Sequence, residues 1–152
     1  MSEIQHNILL LSIKPEYVVK LFDGTKKVEL RKIKPKLIPG DILVVYACSP
    51  VKAIAGLCKV QKVIEDSPKN IWHQVEQIAG ISKKKFDDYY QFSSKAYAIF
   101  LENKEQYEPP LDLEYIKQKL VKFNPPQSYK YLDEFELNQI KNMYHNDSKL
   151  VF

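Results

Sequence analysis

The apolar positions of this chain change period several times, and each change marks an element. Ile8 to Ile13 is apolar nearly throughout, the pattern of a central strand covered on both faces. From Pro15 to Asp23 the apolar residues Val18, Leu21 and Phe22 recur at i, i+3 and i+4, which predicts a short helix with one apolar face. Pro15 suits a first helical position, where its missing N–H costs little, and Gly24 follows as a helix stop. The period then drops to two. Val28 and Leu30 take one face of a strand, while Lys27, Glu29 and Arg31 take the other. Pro35, Pro39 and Gly40 punctuate a loop, with a tight turn at Pro39-Gly40-Asp41. Ile42 to Ala47 reads as a buried strand ended by Ser49-Pro50, and Ile54 to Val63 as a long strand in which Gly56 predicts a bulge or bend. The short link between these two strands implies antiparallel neighbours.

Helical spacing returns after Ser67-Pro68, a cap followed by a first-turn proline, with Ile71, Trp72, Val75 and Ile78 on one face and Gly80 as the stop. Ser82 caps a third short helix holding Phe86, Tyr89 and Tyr90. Lys95 to Leu101 alternates as a strand. Glu102 to Pro110 is charged and ends in two prolines, so the core unit is expected to close near residue 102. Beyond it, Leu113, Ile116 and Leu120 form one amphipathic helix. Phe135, Ile140, Met143 and Tyr144 form another, capped by Asp133. Short isolated helices are marginal, so both are expected to dock back on the core. The connecting FNPPQSYKYL carries Phe123, Tyr129 and Tyr131 around Pro125-Pro126. Periodicity alone establishes a mixed α/β chain of short strands, with no internal repeat.

Composition narrows the functional classes. With 45% hydrophobic and 28% charged residues the chain is an ordinary globule, and no apolar run approaches the roughly eighteen residues of a membrane span. The N-terminal MSEIQHNILLLSI lacks a basic start and a small-residue cleavage site, so a cytoplasmic protein is expected. Cys48 and Cys58 both lie in apolar, strand-like runs and are expected to be reduced thiols. His6, His73 and His145 show no metal-ligand spacing, so no metal is expected. There is no P-loop, dinucleotide fingerprint or nucleophile elbow, and no cofactor is implied. The net charge is +4, but six basic residues against one acid fall between Lys26 and Lys36, and Lys83-Lys84-Lys85 is a second run. Clustered positive charge raises the local affinity for phosphate. The triple-lysine run reads better as a solvated surface.

The most informative segment is Gly24-Thr25-Lys26-Lys27-Val28-Glu29-Leu30-Arg31, which spells G-x-K-x-x-E-x-R at the entry of the alternating strand. Taken alone it describes a solvated strand face with an ion pair of little worth. The stretch ILLLSIKPEYVVKLFDGTKKVELRK, however, resembles the opening of an ASCH domain, a PUA-like β-barrel family that begins strand, short helix, G-x-K-x-x-E-x-R. All four motif positions are filled, by Gly24, Lys26, Glu29 and Arg31, and the likeness runs from about Ile8 to Leu101. The resemblance implies an α+β fold: a PUA-like small mixed β-barrel of about five to six strands with inserted helices and a C-terminal helical appendage. Residues 1–102 would form the barrel, and residues 103–152 a helical extension packed on it.

Three functions fit that fold. The leading one is binding of RNA or a modified nucleotide, which needs cations for phosphate, flat rings for bases and a few hydrogen-bonding groups. Lys26 and Arg31 suit a phosphate or a base carbonyl, Glu29 an exocyclic amine, and Tyr46, Tyr129 and Tyr131 stacking. Trp72, on an apolar helix face, reads better as core. The second is hydrolysis, since some ASCH-like proteins are described as amidohydrolases of acylated cytidine and others as ribonucleases. The amidohydrolases are thought to use a Lys, a Thr and a Glu. Lys26 matches the first, Glu29 stands where the Thr falls, and Glu76 is the nearest candidate for the last. Thr25 is one residue out of register and faces the other way. A Lys26–Glu29 acid–base pair would be metal-independent, but it needs a lowered lysine or a raised glutamate pKa, and opposite charges oppose both. Hydrolysis therefore ranks below binding. A transcription regulator with a helix-turn-helix ranks last, because the two tail helices are too far apart for that motif's short turn. RNA or a nucleotide-like molecule is the expected partner; no membrane is implied, and protein partners are not indicated.

Overall fold

The computed structural model describes residues 5–147; residues 1–4 and 148–152, the outer ends of the two expected units, lie outside the described residues. The chain runs β1 (Ile8–Ile13), α1 (Pro15–Phe22), β2 (Val28–Arg31), β3 (Ile42–Ala47), β4 (Ala53–Asp66), α2 (Pro68–Val75), α3 (Lys83–Tyr90), β5 (Ala96–Asp112), α4 (Leu113–Lys119), β6 (Tyr129–Leu132) and α5 (Glu134–Asn142). A π-helical turn, Met143–Asp147, continues α5. The six strands form one mixed sheet, in the order β2-β5-β4-β3-β1-β6, curled into the half-barrel of an α+β, PUA-like fold. Among the described strands only β1 and β3 pair in parallel, joined by the crossover through α1 and β2.

Alternation along the strands divides the core. Leu9, Leu11 and Ile13 of β1 face one side with Val18 and Leu21 of α1 and with Leu43 and Val45 of β3. Ile8 and Leu10 face the other, against Leu137 and Ile140 of α5 and Ile116 of α4. The tail helices thus dock on the sheet, as their marginal length requires. A third cluster joins Val28 and Leu30 of β2 to Ile71, Val75, Phe86 and Tyr90 of α2 and α3. Ser67, Ser82 and Asp133 cap their helices as expected, Asp133 through a reciprocal capping box with Glu136. The bulge expected at Gly56 is present: the β3–β4 register shifts at Val45/Tyr46, and the β4–β5 register at Ile54/Gly56.

Two sequence readings are corrected. The strand expected to stop at Leu101 runs on to Asp112, so β5 passes through residue 102 without a break. The charged stretch pairs with the first half of β4, and Pro109-Pro110 fall inside a register shift between the Gly56–Gln106 and Ile54–Leu111 pairs. There the missing N–H groups break no ladder bond. In addition, the aromatic connector of the tail contains β6, which pairs antiparallel with β1 from Ile8–Leu132 to Leu11–Tyr129. Its short Tyr-Lys-Tyr-Leu run is completed by pairing with a strand more than a hundred residues earlier, which local pattern does not reveal. No helix among the described residues is long and apolar enough to cross a membrane.

Candidate functional site

A cavity of about 470 Å³ opens where β2, the last residues of β1, the start of α1 and the inserted α3 converge. Lys26, Glu29 and Arg31 form one wall, Tyr17 stands on α1, and Lys85, Asp88 and Tyr89 come from α3. That size suits a single nucleoside or small ligand.

Lys26 is buried at one end, only 3% exposed. Its ammonium donates to the Ala79 carbonyl at 2.7 Å and lies 5.3 Å from the centre of the Tyr17 ring. A collar of backbone contacts fixes it. The Lys26 N–H donates to Lys20 O at 2.9 Å and the Lys27 N–H to Ile78 O at 2.8 Å. Lys104 Nζ donates to Leu21 O at 2.6 Å and to Lys26 O at 3.0 Å, and Lys20 Nζ to Gly80 O at 3.1 Å. Gly80 matters here: its φ is +64°, and an added Cβ would sit 2.7 Å from Lys26 Cβ. Burial lowers the Lys26 pKa below its ordinary 10.5; Glu29 opposes the shift, and Lys20 and Arg31 add to it. Desolvation thus outweighs the attraction of the Glu29 carboxylate in setting the direction of the shift.

Glu29 is 9% exposed and faces the same cavity. Its Oε1 lies 3.7 Å from Arg31 Nε, while Glu29 Oε2 and Arg31 Nε are buried without a protein hydrogen-bond partner among the described residues. The rest of the guanidinium reaches across the open side of the half-barrel. Nη2 donates to Ser12 O at 3.3 Å and Nη1 to Ser128 Oγ at 3.1 Å. Tyr90 Oη in turn donates to Arg31 O at 3.0 Å. Edge strand β2 is thereby tied to β1 and to the residue preceding β6.

The other sequence candidates lie elsewhere. Tyr46 is 3% exposed and packs in the cluster that faces the tail helices, away from the cavity. Tyr129 is half-buried against the α1-side core and does not line the cavity, while its neighbour Ser128 accepts from Arg31. Tyr131 lines a separate hollow with His6, Asn7 and Glu134. Glu76 is an exposed residue at the end of α2, and Trp72 packs on Phe86 with ring centres 4.9 Å apart. Cys58 is buried, its thiol pushed up to about 12 by desolvation. Sequence reading missed the aromatic walls, Tyr17 and Tyr89, and the cation Lys85. The signal was available: Lys85 and Tyr89 stand at i and i+4, on one helix face beside the Phe86–Tyr90 core stripe. Lys32 Nζ lies 4.5 Å from the Tyr89 ring centre, so that rim is both flat and positive.

The lowered Lys26 pKa fixes a sign for stability against pH. The unfolded chain holds that proton up to about 10.5 and the folded chain loses it sooner, so the parent gains stability as pH rises through this window. Lys26→Met should lack that share of the gain. Lys104 shifts in the same direction but is common to both proteins. Stepped-pH urea denaturation of the parent and the variant reads the difference, the tyrosines being common to both proteins. Parallel curves would show that the Lys26 ammonium is not desolvated.

A ribonuclease of Zymomonas mobilis subsp. mobilis, named as ASCH domain-containing, is 25% identical over 88% of this chain and 90% of its own length. The crystal structure of ASCH from Zymomonas mobilis superposes with a TM-score of 0.84 at 25% identity, covering 90% of this chain and 94% of that one. The large ribosomal subunit protein uL22 of Ureaplasma parvum serovar 3 is 30% identical over 82% of this chain, which spans 39% of that protein. The ASCH domain family itself matches residues 11–127, and this chain belongs to it.

Proposed function

We propose that this protein binds single-stranded RNA, seating one base in the motif cavity and its flanking phosphates on the lysine rim. The observation that carries the reading is the convergence of Lys26, Glu29 and Arg31 with the Tyr17 and Tyr89 rings in one base-sized cavity. Single-stranded recognition uses these parts: flat rings for stacking, cations for the backbone and a few buried polar groups for the base edge. Lys14 and Lys85 stand at the rim, and the Zymomonas relative is named a ribonuclease, so an RNA ligand suits both the site and the family. A cytoplasmic location accords with such a partner.

Fluorescence anisotropy with labelled single-stranded RNA tests the reading. Affinity should fall steeply with salt, each phosphate contact contributing about 0.7 to the log–log slope. Lys85→Ala should lower that slope by about 0.7, because it removes one rim cation and leaves the cavity floor intact. Absence of affinity, or affinity insensitive to salt, would overturn the assignment.

One observation favours a second reading, RNA cleavage without a metal. The relative's name denotes that activity, and burial makes Lys26 a readier proton carrier than an ordinary lysine. In that reaction a 2′-hydroxyl attacks the adjacent phosphorus as Glu29 accepts its proton, and Lys26 donates a proton to the departing 5′-oxygen. Cleavage of labelled RNA in the presence of a chelator, lost in Glu29→Gln while binding survives, would move the assignment from binder to nuclease. No cleavage by the parent leaves binding as the function.

A further inference from the structure

We propose that the motif cavity selects uracil among the RNA bases, reading its carbonyl, N–H, carbonyl edge with Lys26, Glu29 and Arg31. This deepens the RNA-binding reading and rests on it. The three side chains follow one another along the wall. Lys26 is anchored where the 78–81 loop closes one end, by its bond to Ala79 O. Arg31 is anchored at the other end, on Ser12 O and Ser128 Oγ. Glu29 stands between, two residues from Arg31 on the same strand face, with Oε1 3.7 Å from Arg31 Nε.

Each group has capacity left for a ligand. An ammonium carries three N–H donors, and Ala79 O takes one from Lys26. Arg31 Nε and Glu29 Oε2 have no protein partner among the described residues. The last torsion of a glutamate side chain is broad, so either carboxylate oxygen can turn to the cavity. Lysine and arginine only donate, and an ionised carboxylate only accepts. The wall therefore presents donor, acceptor, donor.

Uracil is the RNA base whose edge answers that order at every position, with O4, N3–H and O2. Cytosine would set its N3 lone pair against the Glu29 carboxylate and its amino group against a cation. Guanine answers with O6 and N1–H but then turns its 2-amino group toward the remaining cation. Adenine offers one acceptor and one donor and leaves the third group unanswered. Opposed or unanswered buried polar groups are what make such sites selective. Tyr17 and Tyr89 supply faces for stacking, which every base can use, so discrimination falls to the edge.

The test uses the full chain and labelled decamers of uridine, cytidine and adenosine, a uridine decamer methylated at N3, and free uridine. Oligo-uridine should bind at least about tenfold more tightly than oligo-cytidine, and N3-methylation should remove that margin, since it deletes the central N–H. Glu29→Gln, whose amide can donate as well as accept, should shrink the uridine-over-cytidine ratio to about twofold or less. The ligand arms leave the protein unaltered, so a folding defect in that variant does not blur the result. Equal affinity for uridine and cytidine oligomers, or indifference to N3-methylation, overturns the base assignment while RNA binding stands. Saturable binding of free uridine with no affinity for any oligomer keeps the base assignment and overturns the RNA reading. No binding of oligomers or of uridine overturns both.

Discussion

Gly56→Ala should destabilise the protein by about 3 kcal/mol or more, since it combines backbone strain with overpacking in a closed site. Gly56 has a φ of +155°, and an added Cβ would lie 2.3 Å from Glu105 O and 2.6 Å from Phe22 Cζ. The Phe22 ring can swing, but the Glu105 carbonyl is main chain in β5, the direct neighbour of β4. Relief therefore requires the two longest strands to separate at their bulge. Gly24→Ala is the matched control: its φ is +89° but nothing lies within 4 Å of the new Cβ. It should cost only the backbone share, about 1 kcal/mol. Guanidinium denaturation of both variants gives the comparison. Equal losses would mean that the bulge yields easily and that steric contact contributes nothing.

Arg31→Met should cost about 3 kcal/mol of stability, the low end for removing one partner from a buried ion pair. The change leaves Glu29 charged in a site where its side chain is 11% exposed, and it cuts the bonds from β2 to Ser12 O and Ser128 Oγ. Adding Glu29→Gln should recover part of the loss, because the stranded carboxylate is then neutral. Additive losses in the double variant would show that the two side chains do not interact. A loss below about 1 kcal/mol would place the pair among ordinary surface contacts. RNA affinity should fall with Arg31→Met as well, so variants at this position need a stability measurement before a binding result is interpreted.

The motif wall was legible in the sequence because strand alternation is local. Once Val28 and Leu30 are inward, Glu29 and Arg31 must share the other face, and the structure has them in one cavity. The helix caps and the Gly56 bulge were legible for the same reason: each depends on a few adjacent residues. Contacts between distant segments were not. Tyr46 carries the pattern of a strand aromatic, yet which face of β3 meets the motif depends on where β1 and the tail pack. Pro109-Pro110 read as an end because a proline normally breaks a ladder, and only the register shift opposite Gly56 makes room for it. The lysines of α3 looked like plain surface because nothing local says that α3 folds over β2.

The α2–α3 segment leaves the sheet at Asp66 and returns at Ala96, and these two residues pair with each other across β4 and β5. Its ends are therefore neighbours, and the ladder between the two strands closes whether the excursion is long or short. Closure entropy grows slowly with loop length, so insertions and deletions here are tolerated by the frame. Yet this stretch supplies Ile81, Lys85, Asp88 and Tyr89 to the cavity, opposite the motif wall. A different excursion would retune what the cavity accepts, provided that it still covers Val28 and Leu30 and still offers the carbonyls that Ile78, Ala79 and Gly80 present to Lys27, Lys26 and Lys20.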